Sequence, residues 1–248
     1  MTRSLLVRGM LVGIFAGLLV FVAAHWLGEP QVERAIAFEA AADQAKGEAP
    51  EPETVSRHVQ RTFGLVTATV VFGASIGGIF GLIFAYANGR IGPRRPRSLA
   101  AFLAGLGFVA ITLVPSLKYP ANPPAVGNPD TIGIRTGAYF LMIFVSIAAT
   151  VLCLKLSGPL IRKFGDWNGV LAAGAIFLGI VAVIGFFLPS IDEVPAGFPA
   201  DVLWRFRLAS WALQLMLWTA IGLLFGWLTE RQSPWRFVHR VTLDATKS

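Results

Sequence analysis

A single cysteine, Cys153, leaves this chain no intrachain disulfide, and near the end of an apolar run it reads as a small packing residue. The three histidines, His25, His58 and His239, are too few and too dispersed for the clustered ligands of a membrane di-iron centre or for stacked haems. No Gly-rich phosphate loop, Ser/His/Asp arrangement or CxxC pair occurs, so the residues give no ground for an enzyme or a resident cofactor. Asp, Glu, Lys and Arg are missing from the middle of every long apolar run. Intramembrane proton relays and salt-bridged substrate sites normally need such a residue, which argues against a self-contained proton-coupled transporter. The basic runs are short and not interleaved with exposed aromatics, so the net charge of +7 does not point to nucleic acid.

What the chain has instead is six uncharged stretches, at 9–28, 62–89, 98–117, 136–154, 167–191 and 208–229. A hydrocarbon core of roughly 30 Å takes about 20 apolar residues of helix at 1.5 Å per residue, and each stretch is long enough. Barrel strands would show ten-residue alternation and not continuous apolar runs. The prediction is an all-α integral membrane protein, a single membrane domain built as a six-transmembrane-helix bundle. Arg3 and Arg8 before the first stretch, with Ala23 and Ala24 near its end, resemble a signal peptide. Its apolar run exceeds the usual ~7–15 residues, which favours an uncleaved anchor.

Charge sets the expected orientation. One face of that topology collects thirteen of the 21 Lys and Arg with only three of the 14 acids, a formal +10, and the other collects eight bases and eleven acids, a formal −3. The positive-inside rule puts the basic face, with both termini, in the cytoplasm of a plasma (inner) membrane, against anionic lipid headgroups.

Two outer loops depart from plain hairpins. The acidic loop 29–61 carries Pro30, suited to a helix's first turn, and predicts an Ala-rich helix over 31–46 followed by the flexible run 48–53. The loop 115–135 holds five prolines between Pro115 and Pro129. It is expected to lack helix, and it is apolar enough to pack on the mouth of the bundle. Pro115-Ser116 and Pro189-Ser190 end two successive odd-numbered spans, and the segment 76–81 resembles 221–226, a pattern that suggests three related helical hairpins or convergent membrane composition. Gly9, Gly13 and Gly17, like Gly73, Gly77 and Gly81, recur every four residues and strip one helix face for close packing. Gly222 and Gly226 do so more briefly. Trp26, Trp167, Trp204, Trp211 and Trp227 lie toward span ends, as interfacial anchors do.

One constellation suits a cation. His25, Glu29 and Glu33 fall at i, i+4 and i+8, and a continuous helix would align an imidazole and two carboxylates suited to a divalent transition metal. Pro30 interrupts that helix. The alternatives are an interfacial histidine beside a solvated helix start, or an acidic loop that concentrates cations by its field without coordinating them. Met142 and Met216 are weak soft ligands within spans, and packing is the simpler reading for both.

The segment GEPQVERAIAFE from Gly28 to Glu39, the loop PSLKYPANPPAVG over 115–127 and the run WRFRLAS from Trp204 to Ser210 together resemble the CbtA family of probable cobalt transporter subunits, in order over nearly the whole chain. The resemblance implies uptake of cobalt for cobalamin synthesis beside a small single-span, histidine-rich companion, CbtB. Together the readings make the chain a membrane subunit of a divalent metal-ion uptake transporter, with His25, Glu29 and Glu33 for capture. Lys118, Tyr119 and Asn122, with Arg205 and Arg207 opposite, would shape the mouth. Bases beside a cation path are electrostatically awkward unless they pair with Asp130, Asp192, Glu193 or Asp201. The rival expectation is a non-transporting membrane scaffold that docks a partner helix on its glycine faces.

Overall fold

The computed structural model describes residues 2–47 and 54–232, and every regular element among them is helical. The acidic run 48–53 and the C-terminal His239, Arg236, Arg240, Asp244 and Lys247 lie outside the described residues. The helices are α1 (Thr2–Leu27), α2 (Glu29–Lys46), α3 (Arg57–Ala87), α4 (Pro96–Lys118), α5 (Pro129–Phe164), α6 (Asp166–Phe187) and α7 (Ala200–Arg231). Six of them, all but α2, are long and apolar enough to cross a membrane.

Most of these helices overrun the apolar stretches because backbone hydrogen bonding continues where side chains become charged; α6 instead stops at Phe187, short of the expected 191, just before Pro189, and α1 and α3 end one and two residues before the expected 28 and 89. α3 starts at Arg57, α5 runs on past Lys155 and Arg162, and α7 carries Arg205 and Arg207 in its first two turns. Long basic side chains can lie along such an end with their heads in the polar layer. The expectation of no helix over the proline loop needs correction at both ends. Val114–Lys118 closes α4 as a helical turn although it contains Pro115. The preceding widened π-turn, Phe108–Leu113, has already broken the regular ladder whose donor Pro115 lacks, so the ring is accommodated. Pro129 opens α5 in a 3-10 turn at a position whose N–H would be unpaired in any case. Asn128 caps it by accepting from the Asp130 N–H at 2.9 Å.

The described chain falls into two compact units. The first comprises, of the described residues, 2–25, 54–105 and 213–232. In it α1 and α3 run antiparallel along their glycine stripes: Gly9 faces Gly77, Gly13 faces Gly73 and Gly17 faces Thr69. A Cβ added at Gly9 or Gly13 would sit 2.0 Å from the opposing carbonyl oxygen. Those oxygens therefore point at Cα hydrogens, the geometry of weak Cα–H···O contacts worth about 0.5–1 kcal/mol each. α7 meets α4 by the same means, with Gly226 against Ala100 and Arg97, and Gly222 against Ala104. Phe225 of α7 packs on α3, edge-on to Phe80 at 5.3 Å and to Phe84 at 5.0 Å, and Phe84 and Phe225 are fully buried. At the end of α7, Arg231 stacks on the Trp227 ring at 3.8 Å.

The second unit comprises, of the described residues, 26–47 and 106–212. α5 and α6 form its hairpin, turned at Gly165 with φ +80°, and Gly169 lets the start of α6 lie directly on the backbone of Ile161. One face of α5, Ala138, Met142, Ser146, Ala149 and Cys153, is buried. The π-turn Phe108–Leu113 packs on α5. Met142 and Cys153 are thus buried on this face. α6 is the least buried of the six long helices, and Leu178, Val183, Phe186 and Phe187 are left for lipid.

Candidate functional site

The polar chemistry of the second unit is gathered where three segments meet: α2, the proline loop after α4, and the loop 188–199 leading into α7. α2 forms because Pro30 fits its first turn and Glu29 meets the positive end of the helix, and it stops at Gly47, left-handed at φ +77°. Its Ala35 is fully buried against Val126 of the proline loop, Phe198 just before α7 and Val202 in its first turn. Phe38 packs edge-on to Phe198 at 5.0 Å. At the rim Arg34 Nη1 lies 3.3 Å from Asp201 Oδ2. Both partners are exposed, so Asp201→Asn is expected to cost within about 1 kcal/mol, checked as a small loss of thermal stability in detergent.

Within this assembly the proline loop is tied to the loop 188–199 at three points. The Tyr119 hydroxyl donates to the Pro189 carbonyl at 2.9 Å, and partial burial raises the Tyr119 hydroxyl above its usual value, keeping it a donor. Lys118 Nζ donates to Ser190 Oγ at 3.4 Å. Glu193 is the third and strongest tie. One oxygen accepts from the Thr131 hydroxyl, the other accepts from the Asn128 N–H at 2.7 Å, and Arg135 Nε stands 3.4 Å away. The hydrogen bonds from Thr131 and Asn128, with the Arg135 charge added, outweigh desolvation and hold the Glu193 carboxyl below its ordinary range. Arg135 also donates to the Asn128 carbonyl at 3.3 Å, and its guanidinium occupies the space a side chain at Gly127 would need. Gly127 is at φ +130°, which favours glycine there for a second reason. On α7, Arg207 donates to Asn122 Oδ1 at 3.0 Å within the field of Asp192.

The residues expected to shape a mouth are thus distributed unequally. Lys118, Tyr119, Asn122 and Arg207 come together as loop ties, whereas Arg205 is exposed on α7. Of the four acids expected to pair with the mouth bases, Asp201 and Glu193 pair instead with Arg34 and Arg135, and Asp192 acts on Arg207 only through its field. Sequence reasoning missed Thr131, Asn128 and Arg135 as the setting of Glu193. The Asn128-Pro129-Asp130 helix-start signature was the one local signal available.

Of the capture residues, Glu29 is half-buried and Glu33 exposed on the first two turns of α2. His25, in the last turn of α1 in the first unit, is half-buried beside Phe21 at 6.3 Å between ring centroids. Among the described residues no three His, Cys, Asp or Glu side chains converge as a preformed metal-holding group. The chemistry on offer is an acidic helix docked over a hydrogen-bonded loop assembly.

Six helices long and apolar enough to cross a bilayer, with lipid-type surfaces and polar clusters kept to helix ends, define a multi-pass membrane protein. The chain belongs to the CbtA family, described as probable cobalt transporter subunit, whose sequence profile matches residues 2–230. A search of curated proteins finds no match, and a search of solved structures finds none either.

Proposed function

We propose that this subunit admits divalent metal, cobalt foremost, to an uptake system of the inner membrane that supplies cobalamin synthesis. Family membership over residues 2–230 carries the reading. The charge asymmetry supports cytoplasmic termini and an outward-facing α2, and a transporter subunit implies a partner, for which a small single-span histidine-rich CbtB-like chain is the proposal. Glu29 and Glu33, with Glu39 and Asp43 further along α2, gather cations by their field, and His25 joins them as a nitrogen ligand once metal arrives. Loosely held aqueous ions suit a conduit better than a tight site, since cargo must leave again. The loop ties formed by Lys118, Tyr119 and Arg207 keep those bases engaged away from the cargo.

The scaffold reading loses ground on one observation: the glycine faces it would offer a partner helix are spent on each other in the α1/α3 pair. The test is uptake by a Glu29→Gln, Glu33→Gln double variant. Field-driven capture predicts uptake roughly fivefold or more below wild type at limiting cobalt, with recovery at saturating cobalt and unchanged protein in the membrane. Wild-type uptake at limiting metal would return the chain to the scaffold class.

A further inference from the structure

We infer that the first unit carries a binding site for the phosphate group of an anionic membrane lipid, in the open cleft between the start of α1 and the end of α7. The cleft has a volume of about 610 Å³ and is lined by Arg3, Ser4, Val7, Arg8, Leu11, Leu228 and Gln232. That is the size range of small-molecule sites.

Its chemistry is graded along the helix. Arg3 and Ser4 stand in the first turn of α1, Val7 and Arg8 one turn deeper, and Leu11 a turn beyond, all on one broad face because the pattern i, i+1, i+4, i+5, i+8 stays within about 140° at roughly 100° per residue. At 1.5 Å per residue, the polar end and Leu11 are separated by about 10–12 Å. A water-soluble anion has no use for that apolar wall, whereas a lipid needs both ends: a phosphate for the arginines and an acyl chain for Val7, Leu11 and Leu228.

The charge balance also calls for an anion. Among the described residues, two guanidinium groups face the cleft and no carboxylate lines it. Arg8 is fixed in place by hydrogen bonds from Nη1 to Thr229 Oγ1 at 2.9 Å and from Nη2 to Gln232 Oε1. Both acceptors are neutral, so these bonds position the guanidinium without cancelling its charge. A guanidinium has five N–H donors, which leaves others for a phosphate oxygen. Arg3, exposed at the rim, supplies the second charge. The bridge from α1 to α7 thus pre-forms the deeper half of the site.

The experiment uses the full chain in neutral detergent, titrated separately with phosphatidylglycerol, phosphatidylcholine and inorganic phosphate, with thermal stability and native mass spectrometry of bound lipid as readouts. Phosphatidylglycerol is expected to raise the midpoint and to be retained as a bound adduct. Arg3→Gln should weaken that response roughly fivefold, the attraction of one basic side chain for an anionic lipid surface. Arg94→Gln, which removes the same charge from a residue outside the cleft, should leave it unchanged. Arg8→Gln also breaks the bridge to Thr229 and Gln232, so Arg3→Gln carries the test. An equal response to phosphatidylcholine, an equal response to inorganic phosphate, or equal losses in Arg3→Gln and Arg94→Gln would each overturn the site. Cobalt uptake does not enter these readouts, so failure here leaves the proposed transport function standing, and the reverse.

Discussion

Gly77→Val is expected to leave almost no folded protein after detergent extraction. A Cβ at this position would lie 2.1 Å from the Gly9 carbonyl oxygen and 2.9 Å from the Gly13 Cα. Carbon and oxygen normally meet no closer than about 3.3 Å, and here both partners are backbone, with no flexible side chain to swing aside. The helices must separate, and the separation is felt at the Gly9, Gly13 and Gly17 levels of α1 together, since one rigid helix carries all of them. In lipid no hydrophobic drive compensates, because a helix face is as well solvated by acyl chains as by another helix. Overpacking of this kind costs about 3 kcal/mol or more, a large share of a typical folding free energy. Gly105→Ala is the matched control in the same unit: nothing lies within 4 Å of its added Cβ, and relief of glycine's helix penalty should hold or slightly raise stability. Monodisperse yield and thermal midpoint of the two variants read out the contrast. A Gly77→Val protein as stable as wild type would remove the backbone seam as the basis of the first unit.

The second large effect is expected at Glu193. Its two oxygens serve the Thr131 hydroxyl and the Asn128 N–H, with Arg135 alongside, so glutamine fails twice: it loses the charge, and its NH2 group must face a donor. Hydrogen exchange over the peptide 118–131 should speed up on the order of tenfold in Glu193→Gln, with the membrane helices unchanged. The pH dependence has a definite sign. A carboxyl held below its ordinary value contributes stability that is fully present above the unfolded-state value and is lost as pH falls through the lowered folded value. The loop should therefore stay protected from neutral pH down to the ordinary glutamate value of about 4.3 and open only below it. In Glu193→Gln that acid-induced opening should be absent. Equal protection of both proteins at neutral pH would show that the apolar cluster around Ala35 and Val126 alone holds the loop.

Much of the architecture was legible because bilayer crossing demands long uncharged runs, and each of the six runs coincides over most of its length with an observed helix. Helix ends were less legible. Arg57, Arg61, Arg205 and Arg207 look like loop residues by charge, yet backbone pairing continues through them. Pro30 announced α2 correctly because its constraint is local. Pro115 misled for the opposite reason: its tolerance depends on a π-turn, which no residue pattern in 108–113 advertises. The glycine spacing disclosed stripped faces but could not say which stripe meets which, since partner choice is a tertiary matter. The setting of Glu193 was hidden because Asn128 and Thr131 lie more than 60 residues from it in sequence, and neither loop has a periodicity to read. For capture by His25, Glu29 and Glu33, spacing offered a helical alignment that the break at Gly28 interrupts.

The most direct measurement of the account is accumulation of radioactive cobalt, with nickel and zinc as competitors, in cells depleted of other metal importers. The chain would be expressed alone and with a small histidine-rich single-span partner. The account predicts cobalt accumulation that requires this chain and is displaced by excess cold cobalt more readily than by zinc. Absence of accumulation in both settings, with folded protein verified in the membrane, would contradict it.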